Sequence, residues 1–79
     1  MNRWNNDMDG LSRLGINLIV AAKALKARGL VVENGNLERV GDAGWYHASE
    51  TTDSGTGALR GPRWVRVGRG PIVVQERAP

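Results

Sequence analysis

The stretch "DGLSRLGINLIVAAKALKARG", Asp9 to Gly29, decides the fold. Leu11, Leu14, Leu18, Ala21 or Ala22, and Leu25 recur at spacings of three and four, the stripe that a core-facing helix requires. Asp9 or Asp7 suits the start, where a carboxylate caps free N–H groups and complements the helix dipole. Lys23, Lys26 and Arg28 crowd the last turn, where cations are favoured, and Gly29 supplies the stop. The pattern predicts a helix over 9–28, about 30 Å long at roughly 1.5 Å per residue. Ile16, Ile19 and Val20 widen its apolar face, which predicts burial on two sides, by a wrapping sheet or by a second copy of the chain in a homodimer.

Beyond Gly29 the chain reads as sheet. Asn34-Gly35 lies between two apolar-polar runs in "LVVENGNLERV" and predicts a hairpin over 30–40, pairing Val32 with Leu37 and Leu30 with Arg39. "GWYHASE" predicts a strand over 44–50, with Trp45, His47 and Ser49 on one face and Tyr46 and Ala48 on the other. "TTDSGTGALRG" is rich in small polar residues and glycine and reads as a mobile loop over 51–61. Strands follow over 63–67 and 72–77, joined by a turn at Gly68-Arg69-Gly70-Pro71. The expected architecture is a single α+β domain covering 1–79: one long N-terminal amphipathic helix packed on an antiparallel sheet of four or five strands.

Seventy-nine residues make one small core, and the absence of cysteine excludes disulfides and thiolate metal sites. Stability therefore rests on packing. The polar opening "MNRWNNDMDG" is unlike a secretory leader, and "INLIVAA" is too short to span a bilayer. These features predict a soluble, cytoplasmic protein without a membrane partner.

Charge is segregated. The net charge is +3, but residues 1–29 carry +3, residues 30–59 carry −4 and residues 60–79 carry +4. Nine of the eleven basic residues are arginine, whose planar fork suits phosphate, carboxylate and aromatic partners. An arginine bias also follows from genomic base composition, so the excess alone does not assign a function.

In "RGPRWVRVGRGP", Arg60, Arg63, Arg66 and Arg69 stand three apart around Trp64. Strand alternation sends Trp64 and Arg66 to one face and Arg63, Val65 and Val67 to the other, so the four arginines do not form one row. Trp64 beside Arg66 offers a stacking platform with a phosphate clamp, as in single-strand binders, or a cation–π pair at the edge of the core. Lys23, Lys26 and Arg28 form a second basic group, and polyanion binding predicts that both groups share one side of the fold. Trp4, ahead of the expected helix, is the candidate for an exposed protein-binding anchor.

Catalytic chemistry is thinly provided. His47 is the only histidine, and Ser49, Glu50 and Asp53 near it form no nucleophile–base arrangement. "GTGALRG" lacks both the spacing of a phosphate-cradling loop and a Walker lysine. The expectation is a non-enzymatic binding protein with no cofactor and no metal. Its partner is a nucleic acid or nucleoprotein complex met by the Arg/Trp surface, or a protein met by the helix face or an exposed tryptophan.

Two resemblances bear on this. "KALKARGLVVENGNLERV", residues 23–40, resembles the end of a winged-helix DNA-binding domain, where a recognition helix runs through glycine into a hairpin wing. It departs from that family in having only residues 1–8 before the helix, where two further helices belong. In general character, short and without cysteine or recognisable motifs, the chain resembles phage and mobile-element accessory proteins, anti-CRISPR inhibitors among them. That likeness carries no residue roles; it implies a protein that docks on a host machine and blocks nucleic-acid access or recruitment.

Overall fold

The computed structural model describes the backbone of residues 2–79 and the side chains of residues 15–79. Helix α1 spans Asn2–Ala27; strands follow as β1 (Leu30–Val31), β2 (Leu37–Val40), β3 (Trp45–Asp53), β4 (Leu59–Arg66) and β5 (Val73–Gln75). A helix packed on an antiparallel sheet, the α+β arrangement read from the sequence, is what the chain forms. The helix begins well before residue 9, because neither proline nor glycine interrupts residues 2–8 and the backbone ladder can start there. Asp7 and Asp9 therefore lie within the helix and not at its cap. Its end matches expectation: Gly29 adopts φ +78° and its N–H donates to the Lys26 carbonyl at 2.9 Å.

Leu18, Ala21, Ala24 and Leu25 are the described part of the stripe that meets the sheet. Opposite them stand Leu30, Tyr46, Ala48 and Val65, all buried, with Val32, Leu37, Val67 and Val74 packed around. Among the described residues, three of the seven buried apolar side chains are alanines, which let the helix lie close to the strands. The expectation of two-sided burial is not met within the chain: Ile16 and Ile19 each remain 56% exposed. Leu11, Leu14 and Trp4 fall outside the described side chains.

The 30–40 hairpin is absent. β1 and β2 do not pair with each other; both pair antiparallel with the same edge of β3, Leu30 opposite Asp53 and Leu37 opposite Ala48. They are two pieces of one edge strand. Between the paired residues Val31 and Leu37 lie five residues, facing only three between Thr52 and Ala48. The surplus is taken up by a 3-10 turn at Asn34–Asn36, closed by the Asn36 N–H on the Glu33 carbonyl at 2.9 Å. Asn34-Gly35 thus makes a bulge and not a strand reversal, and the wing on which the winged-helix resemblance depended is missing.

The long loop expected over 51–61 is also replaced. β3 continues to Asp53 and β4 starts at Leu59, leaving a short turn. Two side chains make this extension. Thr51, almost fully buried, donates its hydroxyl to the Gly61 carbonyl at 2.7 Å. The Asp53 carboxylate accepts the Gly55 and Thr56 N–H groups at 2.8 and 3.0 Å, an Asx turn. The Ser54 N–H then donates to the Gly29 carbonyl at 2.8 Å, tying this turn to the end of the helix. The last strand is shorter than the 72–77 expected. Among the described residues, no helix is long and apolar enough to cross a membrane.

Candidate functional site

Residues directly opposite each other in a sheet share a face. Register therefore builds two rows across the face turned away from α1. Glu38, His47, Trp64 and Gln75 form one row over β2, β3, β4 and β5. Val40, Trp45, Arg66 and Val73 form the next. Tyr46, Ala48 and Val65 point the other way, into the core. The alternation expected for Trp64 and Arg66, and for Trp45 and His47, holds.

Within this open face the His47 imidazole lies on the Trp64 indole, ring centres 4.6 Å apart and planes 22° from parallel. One side of the indole is thus occupied, which holds the ring in place. Trp45 is the diagonal neighbour of Trp64, a relation that spans roughly 7–8 Å in an antiparallel pair and lies within reach of aromatic side chains. Arg66 stands opposite Trp45, and its Nη2 donates to the Arg69 carbonyl at 3.3 Å, linking the strand to the exposed turn that carries Arg69. Glu38, at the β2 end of the first row, is the acidic boundary of the face.

The other arginines gather elsewhere. Arg28 from the end of α1, and Arg60 and Arg63 from β4, line a polar cleft of about 240 Å³ with Leu30, Val74, Gln75 and Glu76. The Arg63 side chain is only 11% exposed. Its Nη1 donates to the carbonyls of Arg60 and Pro62, both at 2.8 Å. Arg60 reaches Asp53 at 3.5 Å. Asp53 is held below the usual carboxylate range, chiefly by the Thr56 and Gly55 N–H groups, with the Arg60 charge a smaller contribution.

Lys23 and Lys26 belong to a third place. They border an apolar groove of about 250 Å³ between α1 and the β1 edge, with Ile19, Ala22 and Val32. A second hollow of about 300 Å³, lined by Leu18, Ile19, Val32 and Leu37 among others, continues it. The basic residues thus do not share one side of the fold. The structure brings Arg28, Arg60 and Arg63 together, leaves Arg66 with the tryptophans on the open face and Arg69 in the turn that follows, and places Lys23 and Lys26 at a different groove.

Trp45 and His47 are members of the open face that the arginine pattern did not single out. Their shared alternation was visible in "GWYHASE"; their place beside Trp64 depends on the β3–β4 register. Among the described residues, no three His, Asp or Glu side chains converge as metal ligands. No family model, no curated protein and no solved structure matches this chain.

Proposed function

We propose that this chain is a non-enzymatic binding protein that holds single-stranded nucleic acid on the open face of its sheet. The observation that carries the reading is the adjacency of Trp45, Trp64 and Arg66 on a face that the helix leaves free. Single strands expose the flat faces of their bases, and aromatic side chains stack on them whatever the sequence. Trp64, braced from one side by His47, offers its other face to a base, and Trp45 offers a second platform. Arg66 and Arg69 supply positive charge for the intervening phosphates. Glu38 repels a backbone at the β2 end, so the strand is steered toward β4, β5 and the Arg69 turn. A strand held in this way is withheld from a nucleoprotein machine.

The test is fluorescence anisotropy with labelled single- and double-stranded DNA and RNA at low and moderate salt. Single strands are expected to bind more tightly than duplexes, with affinity falling as salt rises. Trp64→Ala is expected to weaken binding roughly 5- to 150-fold, from about 1–3 kcal/mol per stacked base. Circular dichroism verifies that the variant folds. Absence of binding at low salt, or full affinity in folded Trp64→Ala, refutes the reading.

A second reading is favoured by a separate observation, the exposure of Ile16 and Ile19 beside the apolar groove. Lys23 and Lys26 at its rim suit an acidic amphipathic segment of a partner protein. Ile19→Asp is expected to abolish such docking while leaving nucleic-acid binding intact, and a partner captured equally well by the variant refutes it.

A further inference from the structure

From the cleft between the end of α1 and the start of β4, we infer a phosphate-binding site, separate from the open face of the sheet. Arg28, Arg60 and Arg63 come to it from two elements and line it with Glu76, while Asp53 reaches Arg60 without lining the cleft. Neither carboxylate consumes its partner. Glu76 is 3.8 Å from Arg63 Nη2, too far for a hydrogen bond, and its side chain is 77% exposed. Asp53 Oδ2 is 3.5 Å from Arg60 Nη1, a long ion pair that leaves the other Arg60 donors free of it, while Oδ1 accepts two backbone N–H groups.

Arg63 is the prepared member. Its Nη1 is pinned by two carbonyls, its side chain is nearly nine-tenths buried, and Nη2 remains on the cleft side with Glu76. Among the described residues Arg28 makes one long bond, Nη1 to the Ala24 carbonyl at 3.4 Å. Each guanidinium carries five donors, so most of the donor capacity here is unspent. Leu30 and Val74 complete the lining of a cleft that is otherwise polar. A group with several oxygens around one centre satisfies forks arriving from different directions, which a phosphate does and a planar carboxylate does not. Glu76, too distant to occupy these donors, opposes the incoming dianion only by its charge.

The chemistry is that of a phosphate monoester, whether on a free nucleotide or small metabolite or at the 5′ end of a strand. Inorganic phosphate, titrated into the full chain and followed by two-dimensional NMR of backbone amides and arginine Nε–H groups, tests the site. Sodium chloride at matched ionic strength is the control. Saturable shifts are expected at Arg28, Arg60, Arg63 and Glu76, weakened several-fold in Arg28→Gln plus Arg60→Gln and strengthened in Glu76→Gln. Those two arginines are exposed, so their replacement spares the core. A flat titration to about 50 mM, far past the millimolar range of weak sites, in both the wild type and Glu76→Gln overturns the inference. So do shifts that the double variant leaves unchanged. Oligonucleotides with 5′-phosphate and 5′-hydroxyl ends then separate the sources: a preference for the phosphorylated strand assigns the strand end, and equal affinity alongside inorganic phosphate binding assigns a small molecule. Trp64→Ala leaves inorganic phosphate binding unchanged, so failure of the open-face reading and failure of this site are told apart.

Discussion

Gly44 offers the sharpest perturbation, because it lies just before Trp45 and against the end of β4, where the Trp45–Arg66 row is set. It adopts φ +87°, and a Cβ placed there would stand 2.6 Å from the Val67 carbonyl oxygen. The nearest neighbour is backbone and not a side chain that can swing away. The same carbonyl-rich corner holds the Val67 N–H on the Gly44 carbonyl at 2.8 Å, so relieving the clash strains that bond. Gly41 is the internal control: its φ is +67°, and a Cβ there meets nothing within 4 Å. Both Gly→Ala changes carry the left-handed penalty of about 1–2 kcal/mol. Gly44→Ala adds the displaced carbonyl and the weakened hydrogen bond, about 1–2 kcal/mol more. For a domain of this size that excess corresponds to roughly 4–16 °C in Tm. Thermal unfolding followed by circular dichroism on wild type, Gly41→Ala and Gly44→Ala reads it directly. Gly44→Ala is also expected to weaken single-strand binding, since the corner positions Trp45. Equal Tm values for the two variants would show that the β3–β4 corner is looser than described, and the reasoning would fall.

Further outcomes follow from other residues. Leu25 is fully buried beneath the sheet, so Leu25→Ala is expected to cost about 2–5 kcal/mol in urea unfolding; a loss under 1 kcal/mol, well short of that range, would deny it a central place in the core. Thr51→Val keeps the shape but leaves the Gly61 carbonyl without its donor, with an expected loss of about 1–3 kcal/mol; an unchanged urea midpoint would count against that bond. Asp53 is ionised more readily in the folded chain than at its ordinary value of 3.8, so its contribution is present above that pH and is lost as pH falls through the lowered folded value. Asp53→Asn removes this titration, and its Tm is expected to fall less than that of wild type between pH 5 and pH 2.5; parallel curves would remove Asp53 from the acid response. Arg66→Ala is expected to lower the slope of log affinity against log salt for single strands by about 0.7, one phosphate contact, and an unchanged slope would move the backbone elsewhere.

Which parts of this were legible in the sequence follows from the range of the interactions. The helix body and its stop at Gly29 are local, written in spacing and a single left-handed residue, and they read correctly. The two faces of β3 and β4 are local too, since alternation alone separates Trp64 and Arg66 from Val65. Asn34-Gly35 misled because the signal describes a reversal between two neighbouring strands. Here both flanking segments pair with β3 instead, Leu30–Val31 with Asp53 and Thr52 and Leu37–Val40 with Ala48 to Trp45, and only that register shows the bulge. The stretch "TTDSGTGALRG" looked like loop because its strand character comes from Thr51 and Asp53 bonding to backbone, not from apolar alternation. The site divides in the same way. Alternation put Arg63 on the Val65 face, but spacing could not show that it shares a cleft with Arg28, or that Trp45 and His47 stand beside Trp64. Both are products of pairing between distant segments.

The interrupted edge formed by β1 and β2 has a consequence for the protein at high concentration. An uninterrupted rim of unpaired backbone donors and acceptors invites a strand from another molecule, and stacked sheets grow from such contacts. Here that rim is cut into pieces of two and four residues by the 3-10 turn, too short and too bent for a foreign strand to run along. The opposite rim, β5, is only three residues long and has Pro71 two residues before it. With both margins curtailed, a fold whose sheet bears two exposed-side tryptophans is kept from zipping edge to edge into filaments, and its broad face stays open to a ligand.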